Sequence, residues 1–179
     1  ITTNVKSNRP HYANAKRARD LMKTDPKRPH TILTLERFLP YRLSILSNKV
    51  SGIVASTYRD KFAISVTEWR IMAVLGEYPA ISADEVSVKT QIEKSILSRA
   101  ISKLLQRSLI AREFHPDDRR RSMLTLTDTG EAVYDEIVPL SYDYEQALLE
   151  CFDTDEREQF SQLLDRLYKH AEGIDEERG

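Results

Sequence analysis

The sequence predicts a mainly α-helical fold with one small β-hairpin, a winged helix-turn-helix carried on a helical frame suited to pairing. Three observations predict it. Apolar residues recur at three- and four-residue spacings along most of the 179 positions. The period changes to that of strands only around Leu109–Phe114 and Ser122–Thr127. The first long helical pattern carries an apolar seam that no single small domain can cover.

Taken in order, residues 1–30 hold eight Lys/Arg against two Asp, three prolines and little to bury. This is an arm, with a short basic helix at Ala13–Lys23 as its one local candidate; an idle leader and a DNA-contacting arm both fit it. From Thr34, a candidate N-cap, a helix runs to about Asp60. Leu39, Leu43, Leu46, Val50, Ile53 and Thr57 form its seam, and it spans roughly 40 Å at about 1.5 Å per residue. A second helix follows from Thr67 to about Glu77, ended by Pro79. Ser82, with Glu85 three residues on, opens a short helix in capping-box spacing. A turn through Lys89–Ile92 leads to a helix of about Glu93–Arg107, whose buried stripe reads Ile96, Leu97, Ala100, Ile101, Leu104 and Leu105.

Two short strands then bracket the polar loop His115–Arg121. Thr127 caps a helix from Asp128 to about Cys151, with a bend expected at Pro139, and Thr154 caps a last one to about Glu172.

The net charge of −1 conceals a gradient. Residues 1–30 balance at +6, residues 31–130 at +4 and residues 131–179 at −11. A basic N-terminal two-thirds suits a polyanionic partner, which the whole-chain charge would hide. No stretch approaches the ~18 apolar residues of a membrane span. Ile1–Pro10 is polar, so no signal peptide is expected. The single cysteine, Cys151, forms no internal disulfide, and a reducing cytoplasm is the expected setting.

Chemistry concentrates in residues 67–127. Two short helices joined by a tight turn lay the second across a major groove. With its buried stripe removed, the helix 93–107 presents Ser95, Ser98, Arg99, Ser102, Lys103 and Arg107. Ser95, Ser98 and Arg99 lie early, where base edges are reached; Lys103 and Arg107 lie late, beside phosphates. A solvated basic face is the plainer reading of that helix alone. The hairpin tips the balance, because Asp118, Arg119, Arg120 and Arg121 put three adjacent cations where interior roles are untenable and a narrow minor groove attracts arginine.

The stretch "ISADEVSVKTQIEKSILSRAISKLLQRSLIAREFHPDDRRRSMLTLTDTG" resembles the MarR family of bacterial regulators over residues 35–170. It reproduces the family's short helix, recognition helix, Asp-x-Arg wing at Asp118–Arg120 and the lead-in to the next helix. The resemblance implies a homodimer interlocked through its first and last two helices, two winged lobes on a palindromic operator, and a small-molecule effector. It also implies an effector pocket between the first, second and fifth helices, with Tyr41, Arg42, Asn48 and Trp69 as contacts. For Trp69 the alternative is plain core packing; for Arg42 it is a surface or interface ion pair. Segments like "LPYRLSILSNKVS" and "TEWRIMAVLG" resemble regulators of aromatic catabolism, so an aromatic acid or its CoA thioester is the implied effector. The function expected is a repressor. Its partition is arm 1–33, dimerisation region 34–62 plus 128–175, and DNA-binding region 63–127.

The sequence departs from the family at Ser108, where the resemblance implies glycine after the recognition helix. A left-handed serine there costs about 1 kcal/mol. Two further readings stand beside the regulator: a redox trigger at Cys151, which Glu150, Asp153 and Asp155 crowd with negative charge, and a helical protein–protein adaptor. His11, His30, His115 and His170 have no metal-ligand spacing, and no Gly-rich phosphate loop or nucleophile–base pattern occurs. Neither an enzyme nor a cofactor is expected.

Overall fold

The computed structural model describes residues 22–24, 31–115 and 118–176, with side chains described over 32–114 and 122–174. The chain divides into two compact units, residues 1–51 and 52–179. In the first, strands β1 (Met22–Thr24) and β2 (Thr31–Leu33) pair antiparallel, Met22 opposite Leu33. The end of the helix expected at Ala13–Lys23 is therefore strand, and its remainder lies outside the described residues. A 3-10 turn, Leu35–Arg37, follows Thr34. The long helix α1 (Leu39–Phe62) starts later than Thr34 predicts. Pro40 sits in its first turn, where a missing N–H costs nothing.

Along α1 the expected seam is largely uncovered: Leu39, Leu43, Leu46 and Ile53 are exposed, while the buried residues are Ala55 and Tyr58. In the second unit α1 ends against α2 (Val66–Glu77). The cap of α2 is Ser65 and not Thr67, because Ser65 has Glu68 three residues on: Ser65 N–H donates to Glu68 Oε2 at 2.7 Å and Glu68 N–H to Ser65 Oγ at 3.2 Å. Next come β3 (Ile81–Ser82), α3 (Ala83–Thr90), α4 (Lys94–Gln106), β4 (Ile110–His115) and β5 (Asp118–Leu126). The sheet order is β3-β5-β4, antiparallel throughout, with Ile81 opposite Leu124 and Ile110 opposite Leu126.

One core fills this unit. Ile64, Ile71, Met72, Leu75, Val86, Leu97, Ile101, Leu104, Ile110, Leu124 and Ile137 are buried together, each such side chain contributing about 1.5–3 kcal/mol. Helix α5 (Asp128–Leu149) supplies Ile137, with Pro139 just beyond it. Helix α6 (Thr154–Glu176) is capped by Asp153, not Thr154: Asp153 Oδ1 accepts from Glu156 N–H at 2.9 Å and Glu156 Oε2 from Asp153 N–H at 3.0 Å. No helix among the described residues is long and apolar enough to cross a membrane.

Candidate nucleic-acid interface

Two short helices and the turn between them present α4. Ser82 and Glu85 form the expected capping box at the start of α3, with Ser82 N–H donating to Glu85 Oε2 at 2.8 Å. Helix α3 ends at Gln91, left-handed at φ 53°. Glu93 is then the N-cap of α4, its carboxylate accepting from Ser95 N–H at 3.0 Å and from the Ser95 hydroxyl. Those bonds hold the Glu93 carboxyl below the usual range. An acid at this end also suits the helix dipole.

Ser95, Ser98, Arg99, Ser102 and Lys103 are all exposed on α4, opposite buried Leu97, Ala100, Ile101 and Leu104. Two hydroxyls are partly engaged: Ser95 with Glu93, and Ser102 with the Ser98 carbonyl at 2.9 Å. Arg99 Nε donates to the Ser95 carbonyl at 3.2 Å, which braces its guanidinium along the helix. Ile96, placed in the buried stripe from sequence, is 46% exposed. It sits about 100° around the helix from Leu97, outside the packed arc.

Arg107 serves the frame. Its guanidinium donates to the Ala63 carbonyl at 2.9 Å and the Phe62 carbonyl at 2.5 Å, closing the C-terminal end of α1. Past Arg107, Ser108 is left-handed at φ 53°, as the missing glycine implied. Ser108 N–H donates to the Leu105 carbonyl and Leu109 N–H to the Leu104 carbonyl, both at 3.0 Å. That pair is a Schellman stop.

The chain returns to this stop after the wing. Thr127 Oγ donates to the Ser108 carbonyl at 2.7 Å and accepts from Gly130 N–H at 3.0 Å. A Cβ on Gly130 would lie 1.9 Å from the Leu109 carbonyl oxygen. One threonine and one glycine thus tie the end of α4, the end of β5 and the start of α5.

The wing is longer than the sequence suggests. Asp118, Arg119, Arg120 and Arg121 belong to β5, with Asp118 opposite His115 and a register shift between Phe114 and His115. The expected seven-residue loop is corrected, since His115 and Asp118–Arg121 are strand and pairing continues past the last apolar residue. Backbone hydrogen bonds need no apolar pattern, which is why the pattern stopped short. The wing side chains from His115 to Arg121 lie outside the described ones.

Of the expected effector contacts, Tyr41, Arg42 and Asn48 are exposed on the first half of α1. Trp69, in the second unit, is half-buried between two rings: Tyr58 at 5.7 Å and Tyr134 at 5.8 Å between centroids. Neither tyrosine was singled out from sequence, since only the fold brings α1, α2 and α5 together there. Burial pushes the Tyr58 hydroxyl up to about 12. Cys151 is exposed, its Sγ 3.6 Å from the Leu148 carbonyl.

These features have counterparts among known proteins. The sequence model of the MarR family matches residues 64–122. The chain is 29% identical over 113 residues to the HTH-type transcriptional regulator BilQ of Clostridium symbiosum (strain WAL-14163), covering 63% of this chain and 78% of that protein. To the HTH-type transcriptional regulator PecS of Dickeya dadantii (strain 3937) it is 30% identical over 132 residues, covering 72% of this chain and 77% of PecS. The chain belongs to the MarR family. Among solved structures, a MarR/EmrR family regulator from Acinetobacter sp. ADP1 superposes with TM-score 0.72 at 28% identity, covering 79% of this chain and 99% of that one. BpsR of Bordetella bronchiseptica, whose DNA binding is regulated by 6-hydroxynicotinic acid, shares the fold at TM-score 0.66 and 24% identity, over 74% of this chain and 94% of its own. This MarR-family protein is a transcriptional regulator of the helix-turn-helix type, and its mainly helical fold with a three-stranded wing sheet is that of its relatives.

Proposed function

We propose that the protein is a homodimeric repressor that binds a palindromic operator and is released by a small aromatic acid or its CoA thioester. The observation that carries the reading is α4, which turns Ser95, Ser98, Arg99, Ser102 and Lys103 outward, in one unit with the strand that holds Arg119, Arg120 and Arg121. Arg99 suits bidentate pairing with guanine, and the serines suit base edges or phosphate. Exposed Ile96 adds an apolar contact for a thymine methyl group. Asp118 braces the wing, and the arginines at 119–121 reach the minor groove. Region 63–127 reads DNA, while regions 34–62 and 128–175 pair the two copies. The basic arm 1–33 carries positive charge that suits a polyanionic partner.

Effector action follows from lobe spacing. Recognition helices near one duplex turn apart, about 34 Å, fit successive major grooves. A ligand that prefers another spacing depopulates that state, and coupling of about 1–3 kcal/mol weakens operator binding roughly 5- to 150-fold. The half-buried Trp69, with Tyr58 and Tyr134 beside it, is the aromatic contact proposed in the second unit, and Tyr41, Arg42 and Asn48 are the polar effector contacts that the family resemblance implies. The heteroaromatic acid that regulates BpsR is of the same chemical kind as the proposed effector.

Binding to the chain's own upstream DNA, measured across a salt series, tests the reading. A steep loss of affinity with salt is expected, and Arg119→Ala with Arg120→Ala should flatten the slope by about 0.9 for each phosphate no longer neutralised. A flat wild-type slope would favour a protein–protein adaptor instead. Thermal-shift titration with benzoate-like acids and their thioesters identifies the effector class, since a tight ligand raises Tm with the logarithm of its concentration.

A further inference from the structure

On the flank of α4 lies an open cleft of about 510 Å³, between the end of α1, the start of α2 and the last turns of α4. Arg59, Ala63, Ser65, Glu68, Lys103 and Arg107 line it. Three of these are cations and one is an acid. The acid is committed, since buried Glu68 accepts the Ser65 N–H in the α2 cap. Arg107 is committed too, holding the Phe62 and Ala63 carbonyls. Arg59 and Lys103 are not: the ion pairs among the described residues are Lys61 with Glu136 and Lys94 with Asp84.

From these observations we infer that the cleft clamps one phosphate group between Arg59 and Lys103, and that the phosphate belongs to the operator backbone. The inference rests on the DNA-binding reading above and extends it to α1. Lys103 stands about 40° around the helix from Arg99, so it borders the groove-facing row. A helix lying in a major groove has a sugar-phosphate strand along each flank. On this flank Arg59, from a different element, lines the same cleft as Lys103. The shape agrees. A small-molecule pocket encloses its ligand with apolar and aromatic walls, whereas this cleft is open and has no aromatic residue in its lining. Such a site suits an anion attached to something larger. In this arrangement Arg107 shapes the cleft by fixing the end of α1, and Arg59 adds a phosphate contact from outside α4.

The test is fluorescence anisotropy of the full chain on a mixed-sequence duplex, long enough for both lobes, across a potassium chloride series. With one clamp in each copy of the proposed dimer, Arg59→Gln and Lys103→Gln should each reduce the log–log salt slope by about 1.8 and weaken binding roughly 25- to 100-fold near 0.1 M salt. The double variant should lose no more slope than either single, because both serve one phosphate. Arg59→Lys should keep most of the slope, and Lys61→Gln, whose partner is Glu136, should keep all of it. Unchanged melting curves establish that the variants are folded. Wild-type slopes in both singles and the double overturn the clamp while leaving the DNA reading intact. A wild type with no salt-dependent duplex binding overturns both. Inorganic phosphate titrated into the DNA-free protein separates the sources. Saturable binding abolished by Arg59→Gln, with duplex slopes unchanged, overturns the operator as the origin of the phosphate.

Discussion

Helices α4 and α6 carry the same kind of pattern and meet different fates. On α4, Leu97, Ala100, Ile101 and Leu104 are at most 7% exposed, sealed by α2, α3 and the sheet. On α6, Phe160, Leu163, Leu164 and Leu167 remain between 39% and 49% exposed in the single chain. Periodicity marks which face will be buried and is silent about what buries it. One lobe completes itself within the chain. Helix α6 has an apolar stripe left over, as do parts of α1, and monomeric proteins rarely leave large contiguous apolar patches bare.

The contrast can be broken from the side of the self-sufficient lobe. Gly130→Ala drives a Cβ into the Leu109 carbonyl. Backbone meets it there, so relief requires moving β4 or α5, and a loss of about 3 kcal/mol or more is expected. Chemical denaturation measures it; a loss below 1 kcal/mol, on the scale of an ordinary surface change, would show the junction to be pliable. Helix α6 breaks differently. Leu163→Glu with Leu167→Glu should abolish the proposed dimer in analytical ultracentrifugation while the lobe keeps its fold. A dimer that persists would move the interface elsewhere.

Tyr58 gives the lobe a pH signature. Its hydroxyl ionises near 10 when unfolded and at about 12 in the fold, so the native state favours the neutral form. That contribution is whole below pH 10 and disappears as pH climbs through 12. That difference corresponds to about 2–3 kcal/mol. Tyr58→Phe should flatten the alkaline limb of the stability curve, and an unaltered limb would assign it to other groups. The smallest effect sharpens the comparison. Ser108→Gly should stabilise the lobe by about 0.5–1 kcal/mol, because relief of the left-handed strain exceeds the extra chain entropy of glycine. An unchanged or lower midpoint in denaturant would mean the serine contributes more than its strain costs.

How much of this was readable in advance depended on distance along the chain. The Ser82–Glu85 box, the Thr127 cap and the left-handed Ser108 are local, each set within a few residues, and the sequence carried them. Ser65 as the cap of α2 was also local, and Glu68 three residues on was the signal that should have outweighed Thr67. Strand β3 is two residues long, too short for any period to register. The Arg107 clip joins positions 44 and 45 residues apart. The Tyr58–Trp69–Tyr134 ring cluster likewise draws on three helices. Such pairings exist only once the chain has folded, so charge and spacing name Arg107 for phosphate and give no sign of the carbonyl pair that it also holds.

Pro139 divides α5 into unlike halves. Gly130 and Ile137, its buried residues, both precede the proline, and none follows it. Proline supplies no N–H, so the Asp135 carbonyl lacks its rung in the ladder and the helix resists bending least at that point. The far half then behaves as a lever arm about 15 Å long, and a tilt of about 10° at the fulcrum swings its tip by about 2.6 Å. That travel approaches the rise of a single base pair, about 3.4 Å. A small angular change at Pro139 is therefore amplified along the half of α5 that has no buried residue.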